Sequence, residues 1–77
     1  MQIVSSEYWA RKRHKRPDVS DDMIEYGILN SDKLNDRKWE SVWNAIARIP
    51  PSGRLLKIVY REKGKGIKII VTAYWLD

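Results

Sequence analysis

The carboxyl-terminal part of the chain consists of two alternating apolar segments with a short glycine-containing stretch between them. Residues 55–61 and 67–76 are rich in branched and aromatic side chains, and residues 62–66 read Glu-Lys-Gly-Lys-Gly. This composition and this spacing are typical of a β-hairpin. The two segments are therefore predicted to be neighbouring antiparallel strands.

The alternation also predicts which side of each strand is buried. Large apolar side chains occur at positions 56, 58 and 60 of the first strand and at alternate positions from 67 to 75 of the second. Burying both sets together requires even-numbered residues to face odd-numbered ones, because a slip of one residue turns a strand over. A turn at 64–65 satisfies this and sets Ile58 opposite Val71 and Leu56 opposite Ala73. A turn at 63–64 keeps the faces and shifts the pairs by two.

The reverse face of the hairpin collects cations and hydroxyl groups. In the expected register Lys57 lies opposite Thr72, and Arg61 lies opposite Lys68, on the face that also carries Tyr74. Like charges directly opposed in a sheet are destabilising. A face that accepts this repulsion suggests an anionic ligand, and the plain alternative is a solvated face of long side chains.

Two helices are predicted before the sheet. Ser5 or Ser6 can cap a helix that runs to about His14, and Pro17 prevents that helix from continuing. Ser20 can cap a second helix that ends near residue 30. The segment 39–49 fits both a helical and a strand period, so periodicity leaves both structures open there.

Size and composition limit the kinds of protein that the chain can be. Its 77 residues are predicted to form one domain, 1–77, whose core uses four Trp and four Tyr. The chain has no Cys and one His, which argues against disulfides, a metal site or a bound cofactor. No signal peptide or bilayer-spanning segment is evident, so we expect a cytoplasmic protein with no membrane partner.

Charge is divided among three parts of the chain. Residues 1–17 carry five cations and one acid, residues 18–40 have a net charge of −4, and residues 41–77 have a net charge of +5. If the fold brings the basic ends together, it makes a cationic surface suited to phosphates. Ordinary solvated charge is the alternative, and the acidic segment could also bind a basic partner.

The only histidine lies inside the basic stretch 11–16. RNA cleavage requires the 2′-hydroxyl to lose a proton and the 5′-oxygen to gain one, which a histidine can serve near neutral pH. Cations stabilise the charge on the phosphoryl oxygens, and hydroxyl groups can orient the phosphate or a base. His14 is therefore the candidate general base, with a surface histidine of no chemical role as the alternative. Arg11, Lys15 and Arg16 are expected to give only long-range attraction.

Several short motifs, spread over nearly the whole chain, resemble a known family. They are Arg-His at 13–14, Pro-Asp-Val-Ser at 17–20, Asn-Ser-Asp at 30–32, Pro-Ser-Gly-Arg at 51–54, Leu-Leu-Lys-Ile-Val-Tyr at 55–60 and Thr-Ala-Tyr at 72–74. The chain resembles a family of short prokaryotic and phage domains of unassigned function, within the RelE/BrnT/barnase-like group of ribonuclease folds.

The resemblance implies an α+β fold. Two amino-terminal helices are expected to pack on one face of a small antiparallel sheet that ends in the hairpin, and the other face is expected to be open for RNA. It also implies that 43–49 is a strand, with room for a helical turn at 39–42 before it. The chain departs from RelE in that no carboxyl-terminal helix is expected after the last strand. This argues against a ribosome-dependent mode and leaves cleavage of free RNA, or no cleavage at all, as the alternatives.

The resemblance further implies a metal-independent, RNA-directed endoribonuclease, such as a toxin or mobile-element protein, with an antitoxin as a protein partner. The expected catalytic residues are His14, Arg48, Arg54, Lys57, Thr72 and Tyr74. The expected further RNA-binding residues are Arg13, Arg61 and Lys68. A non-catalytic module that binds nucleic acid or protein through the same sheet face is the alternative.

Overall fold

The computed structural model describes residues 1–31, 33–35, 42–64 and 66–76, and it describes 33–35 by the backbone alone. Over these residues the chain forms five strands, two α-helices and a 3₁₀ turn, so the predicted α+β class is confirmed. In chain order they are β1 (Gln2–Ser5), α1 (Glu7–Lys12), the 3₁₀ turn (Arg13–Lys15), α2 (Asp21–Leu29), β2 (Lys33–Asn35), β3 (Val42–Ile49), β4 (Arg54–Glu62) and β5 (Ile67–Trp75). Neither described helix has the length and apolar character needed to cross a bilayer.

The strands form one sheet in the order β1-β5-β4-β3-β2. The strand β1 pairs in parallel with the first half of β5, whereas the other neighbouring strands are antiparallel. The sheet is therefore mixed, and the prediction of a wholly antiparallel sheet was wrong. Residues 2–5 were not recognised as a strand, because four residues show too little alternation and such a strand depends on the neighbour with which it pairs.

Both helices begin at the capping serines that the sequence indicates. The Ser6 hydroxyl accepts a hydrogen bond from the Trp9 backbone N–H at 3.1 Å, and the Ser20 hydroxyl accepts one from the Met23 N–H at 3.2 Å. Each bond satisfies one of the backbone donors that a helix start leaves without a partner. The helix α1 continues into the 3₁₀ turn and stops before Pro17, as the geometry before proline requires.

One buried cluster joins residues of both helices to the sheet. Its largest fully buried members are Trp9, Ile24, Leu56, Ile58, Tyr60 and Ile70. The closest approach is at Gly27 of α2, where a Cβ atom would lie 2.5 Å from Ile58 Cδ1. Only glycine allows the helix to lie so close to β4 without displacing that side chain.

The ambiguous middle segment is a strand. The prediction of a strand at 43–49 is confirmed by β3, whereas most of the expected helical turn at 39–42 lies outside the described residues. After β3 the chain turns through 50–53, where the Pro50–Pro51 peptide is cis and Gly53 has a φ of 75°. That positive φ favours glycine at the position that starts the return into β4.

The hairpin forms with a different register, because β5 contains a bulge at Val71. Ile58 pairs with Ala73, but Tyr60 pairs with Ile70, so two residues of β5 lie where only Val59 lies on β4. Thr72 pairs with Val59, and Val71 is the extra residue. The predicted pairing of Ile58 with Val71 was therefore wrong. The extra residue reverses the facing of the part of β5 that precedes it.

The bulge changes which side chains of β5 face the core. Ala73 and Trp75 pack against the buried cluster as predicted. Before the bulge, however, the inward residues are Ile70 and Lys68, whereas Ile67, Ile69 and Val71 were predicted. A single extra residue thus made three of the five predicted inward positions of β5 wrong.

The new register replaces the predicted like-charge pair with an ion pair. Arg61 pairs with Ile69, and Lys68 pairs with Glu62, whose carboxylate lies 2.6 Å from the Lys68 ammonium. The Lys68 side chain is only 11% exposed, so the nearby carboxylate offsets the cost of burying its charge. Lys68 is therefore not on the face expected to bind RNA, and its predicted placement there was wrong.

Candidate nucleic-acid interface

Side chains that alternate with the core residues of β3, β4 and β5 form the opposite side of the sheet. We call this side the open face, and its described members are Asn44, Ile46, Arg48, Leu55, Lys57, Val59, Arg61, Ile67, Ile69, the bulged Val71, Thr72 and Tyr74. Each of them is at least partly exposed, three are cations and none is acidic. The open face therefore combines positive charge with exposed and partly exposed apolar side chains.

Tyr74 lies on the open face between two cations. It pairs with Lys57 across the sheet, and the Lys57 ammonium is 5.9 Å from the centre of its ring. The Arg16 guanidinium carbon lies 5.7 Å from the same ring. Arg16 also donates a hydrogen bond to the carbonyl oxygen of Ala73 at 2.7 Å, which fixes it against β5. A bound phosphate beside this ring would therefore meet positive charge from two directions.

The other polar members of the open face lie along the strands. Thr72 lies opposite Val59, two residues from Tyr74, so the two hydroxyl-bearing residues are about 7 Å apart along the same strand. Arg61 is four residues from Lys57 on β4, or about 13 Å. The positive charge on the face is therefore spread along an extended line.

Arg48 marks the end of the open face at the turn between β3 and β4. Its guanidinium donates a hydrogen bond to the Gly53 carbonyl oxygen at 3.0 Å. That bond holds the side chain over the turn and leaves the other guanidinium donors for a ligand. The sequence-based prediction that Arg48 shares a face with Lys57 agrees with this geometry.

Arg54 lies on the other side of the sheet. It pairs with Ile49, a core residue, and its guanidinium carbon is 4.4 Å from the centre of the Trp75 ring. The Trp75 ring N–H donates a hydrogen bond to the Asp18 carboxylate at 2.8 Å. Arg54 was predicted as a catalytic residue together with Lys57, but it does not lie on the open face with Lys57, because the two side chains point to opposite faces.

Arg13 connects protein groups to one another. Its guanidinium donates to the Asp21 carboxylate at 2.6 Å and to the Ser5 hydroxyl at 3.2 Å. It thereby joins the 3₁₀ turn to the start of α2 and the end of β1. This contact set assigns Arg13 a structural role, and the predicted RNA contact has no geometric support.

His14 lies in the 3₁₀ turn and is exposed. In the described part of the chain its side chain has no hydrogen bond, ion pair or ring contact. Two residues later, Arg16 attaches the end of the turn to β5 beside Tyr74. His14 is therefore on the segment that adjoins the open face, although no contact holds its ring toward that face.

A groove beside the open face was not predicted from the sequence. It lies between α1 and β5, has a volume of about 400 Å³, and is lined by Ser6, Glu7, Tyr8, Arg11, Arg61, Ile69 and Val71. A second depression, of about 250 Å³, lies on the outer side of α1 and is lined by Tyr8, Arg11, Lys12 and Lys15. The cations at 11 and 15 line these depressions, and the cation at 16 contacts Tyr74. That they give only long-range attraction to a ligand stays a prediction.

The sequence does contain a signal for these surfaces. Tyr8 is followed by cations three, four and seven positions later, a spacing that places them on one side of a helix. The Lys12 ammonium lies 5.7 Å from the centre of the Tyr8 ring. The helical spacing of the basic stretch would have shown that these cations lie on one side of the helix and Arg13 on another.

Within the described ranges no three acidic or histidine side chains converge in a way that could hold a metal ion. Comparison of the chain with models of known protein families, with curated proteins and with solved structures gives no match. The assignment of a function therefore depends on the chemistry and placement of the side chains.

Proposed function

We propose that the open face binds single-stranded RNA. The observation that carries this proposal is the Tyr74 ring, which lies between Lys57 and Arg16 on a sheet face with no acidic member in its described part. Cations attract phosphates, and an aromatic ring offers a surface on which an unpaired base can stack. The aliphatic residues around Tyr74 extend that surface.

A single strand suits this face better than a duplex. The open face is the flat side of a sheet, and a sheet of this kind can accept bases that are splayed away from a partner strand. The hydroxyl groups of Thr72 and Tyr74 can exchange hydrogen bonds with a ribose 2′-hydroxyl, which distinguishes RNA from DNA.

We infer RNA cleavage as a second function, favoured by the attachment of the 3₁₀ turn to β5 through Arg16. His14 would remove the proton of a 2′-hydroxyl, whose oxygen then bonds to the adjacent phosphorus. The bond from phosphorus to the 5′-oxygen breaks, that oxygen takes a proton from water, and His14 returns its proton to the solvent. Lys57 and Arg48 would stabilise the charge on the phosphoryl oxygens.

We also propose that the chain is a member of the RelE/BrnT/barnase-like group. It is supported by the order of the elements, in which two helices precede the long antiparallel strands, and by the basic open face. A toxin of the cytoplasm that an antitoxin protein inhibits is the corresponding biological role. Arrest of growth on expression, relieved by His14→Ala, is the result expected for that role.

The binding proposal is tested by the fluorescence anisotropy of a labelled 12-nucleotide RNA. Lys57→Ala should weaken binding about fivefold and lower the slope of log affinity against log salt by about one. Lys63→Ala is the matched control, because it removes the same charge from the exposed hairpin turn and not from the open face. Equal losses in the two variants would contradict a specific open-face site.

Cleavage is tested on the same RNA by gel electrophoresis. The native chain should produce a 2′,3′-cyclic phosphate end, and His14→Ala should abolish it while leaving the binding affinity within about twofold. Binding without cleavage by the native chain would reject the second function and retain the first. No binding to RNA at low salt would reject both.

A further inference from the structure

We propose that the groove between α1 and β5 holds one unpaired nucleotide of the bound RNA, with the base against Tyr8 and the phosphate at Arg11 and Arg61. This site rests on the proposed function, because the nucleotide belongs to the strand that lies on the open face. It adds a position at which an individual base is held, which the open face alone does not provide.

The bulge at Val71 builds the groove. The Ser6 backbone N–H donates to the Ile70 carbonyl oxygen at 3.0 Å, and the Ser6 hydroxyl lies within 3.5 Å of the Val71 carbonyl oxygen. These contacts attach the start of α1 to β5 where the strand changes facing. The side chains of Ile69 and Val71 then form an apolar floor beneath the first turn of the helix.

Tyr8 supplies an aromatic wall. Its side chain is 49% exposed, although it lines a groove whose floor is apolar. A ring in this position gives a base one face to stack on, while the floor excludes water from the edge of the base. The Lys12 ammonium, 5.7 Å from the centre of the Tyr8 ring, adds positive charge beside that wall.

The charged groups of the groove divide it into two ends. Arg11 and Arg61 both line it, and within the described chain neither has a carboxylate partner. Glu7 also lines it, one helical turn before Arg11, and its carboxylate would repel a phosphate placed beside it. The same carboxylate can accept a hydrogen bond from an N–H group of a base. The phosphate is therefore expected at the two arginines and the base near Glu7 and Tyr8.

The size and position of the groove fit a single nucleotide. A volume of about 400 Å³ is within the range of small-molecule sites and is too small for a helix or a duplex. Arg61 belongs both to the groove and to the open face, about 13 Å along β4 from Lys57. A strand that crosses Tyr74 and Lys57 can therefore continue to Arg61 and place its next base in the groove.

The test compares three variants by anisotropy with the 12-nucleotide RNA. Tyr8→Leu removes the ring and should raise Kd about fivefold or more. Tyr8→Phe keeps the ring and should leave Kd within about twofold. Tyr26→Leu is the matched control, since Tyr26 is a comparably exposed tyrosine, 40% against 49%, on the other helix. Thermal unfolding by circular dichroism verifies that all three variants are folded.

Backbone amide shifts on addition of RNA provide a second readout that does not depend on a substitution. Shifts at Ile69, Ile70 and Val71, together with those of the open face, support the site. If the native chain binds RNA but Tyr8→Leu binds equally well and these amides do not shift, the nucleotide site is rejected and the open-face function stands. If the native chain does not bind RNA, both are rejected.

Discussion

The two faces of the sheet hold their cations in different ways. On the core side, Lys68 forms an ion pair with Glu62, and Arg54 stacks on Trp75. On the open face, Lys57 and Arg61 have no carboxylate partner among the residues that the structure describes. Cations that contact protein groups on the core side stabilise the fold. The charge of the open-face cations is not neutralised by a described carboxylate, so it can attract an anionic ligand.

The bulge in β5 creates this difference. Without it, the register of Ile58 with Ala73 would continue, so Arg61 would lie opposite Ile70, Lys68 would turn to the open face, and Ile69 would face the core. With it, Lys68 reaches Glu62, and Ile69 and Val71 become the floor of the groove beside α1. One extra residue therefore brings Lys68 to its carboxylate partner and also forms part of a candidate binding site.

The largest expected effect is on the core side. Glu62→Ala leaves the mostly buried Lys68 without its carboxylate, and we expect the free energy of unfolding to fall by about 3 kcal/mol. Urea denaturation measures this change. Glu25→Ala, which removes an exposed acid from α2, should change it by less than about 0.5 kcal/mol. Equal effects of the two substitutions would show that the Lys68 pair has no special role.

The next effect is on the open face. Tyr74→Ala removes the ring between Lys57 and Arg16, and we expect RNA affinity to fall about tenfold, because stacking of one base contributes roughly 1–3 kcal/mol. Anisotropy with the same RNA measures the change. Tyr26→Ala on α2 serves as the control, and a similar loss there would mean that the ring contact is not specific to the sheet face.

Arg54→Ala distinguishes the two faces because it should lower the stability of the fold more than the affinity for RNA. Loss of the contact with Trp75 should lower the free energy of unfolding by about 1 kcal/mol. RNA affinity should fall less than it does for Lys57→Ala, although each substitution removes one positive charge. An RNA affinity loss as large as that of Lys57→Ala would break the distinction between the faces.

The smallest effect concerns Tyr60, whose hydroxyl is buried without a hydrogen-bond partner in the described structure. Burial, with a further contribution from the Glu62 carboxylate, raises the pKa of Tyr60 above its usual value of 10.0. The folded state therefore holds this proton more tightly than the unfolded state does. Its contribution to stability is complete below about pH 10 and is lost as the pH rises from there toward the folded-state pKa.

Tyr60→Phe tests this pH dependence. At pH 7 the substitution should leave the free energy of unfolding unchanged or raise it by up to about 1 kcal/mol, because a buried polar group without a partner is removed. Above pH 10 the variant should lose stability less steeply than the native chain. Parallel curves for the two proteins in urea denaturation from pH 8 to 11 would contradict the raised pKa.

Local signals in the sequence were enough to predict several of the helices and strands. Ser6 and Ser20 are the caps of the two helices, Pro17 ends the first, and the alternation of 55–61 and 67–76 identifies the hairpin. These features depend on residues close to one another along the chain. Lys57, Thr72 and Tyr74 were placed on one face for the same reason, although their partners were wrong.

The remaining features depend on contacts between distant residues. The bulge at Val71 is held by Ser6, 65 positions earlier, and Arg16 reaches Ala73 across 57 positions. Alternation within β5 cannot reveal that its facing changes in the middle. The groove was missed for the same reason, because its floor exists only after the bulge has turned Ile69 outward.

The most direct test of the difference between the two faces is a backbone amide titration of the native chain with a short single-stranded RNA. We expect shifts at Lys57, Thr72 and Tyr74 that weaken as salt rises, with Ile49 and Ile58 on the core side unaffected. Shifts confined to the helices, or of equal size on both faces, would contradict an RNA-binding open face.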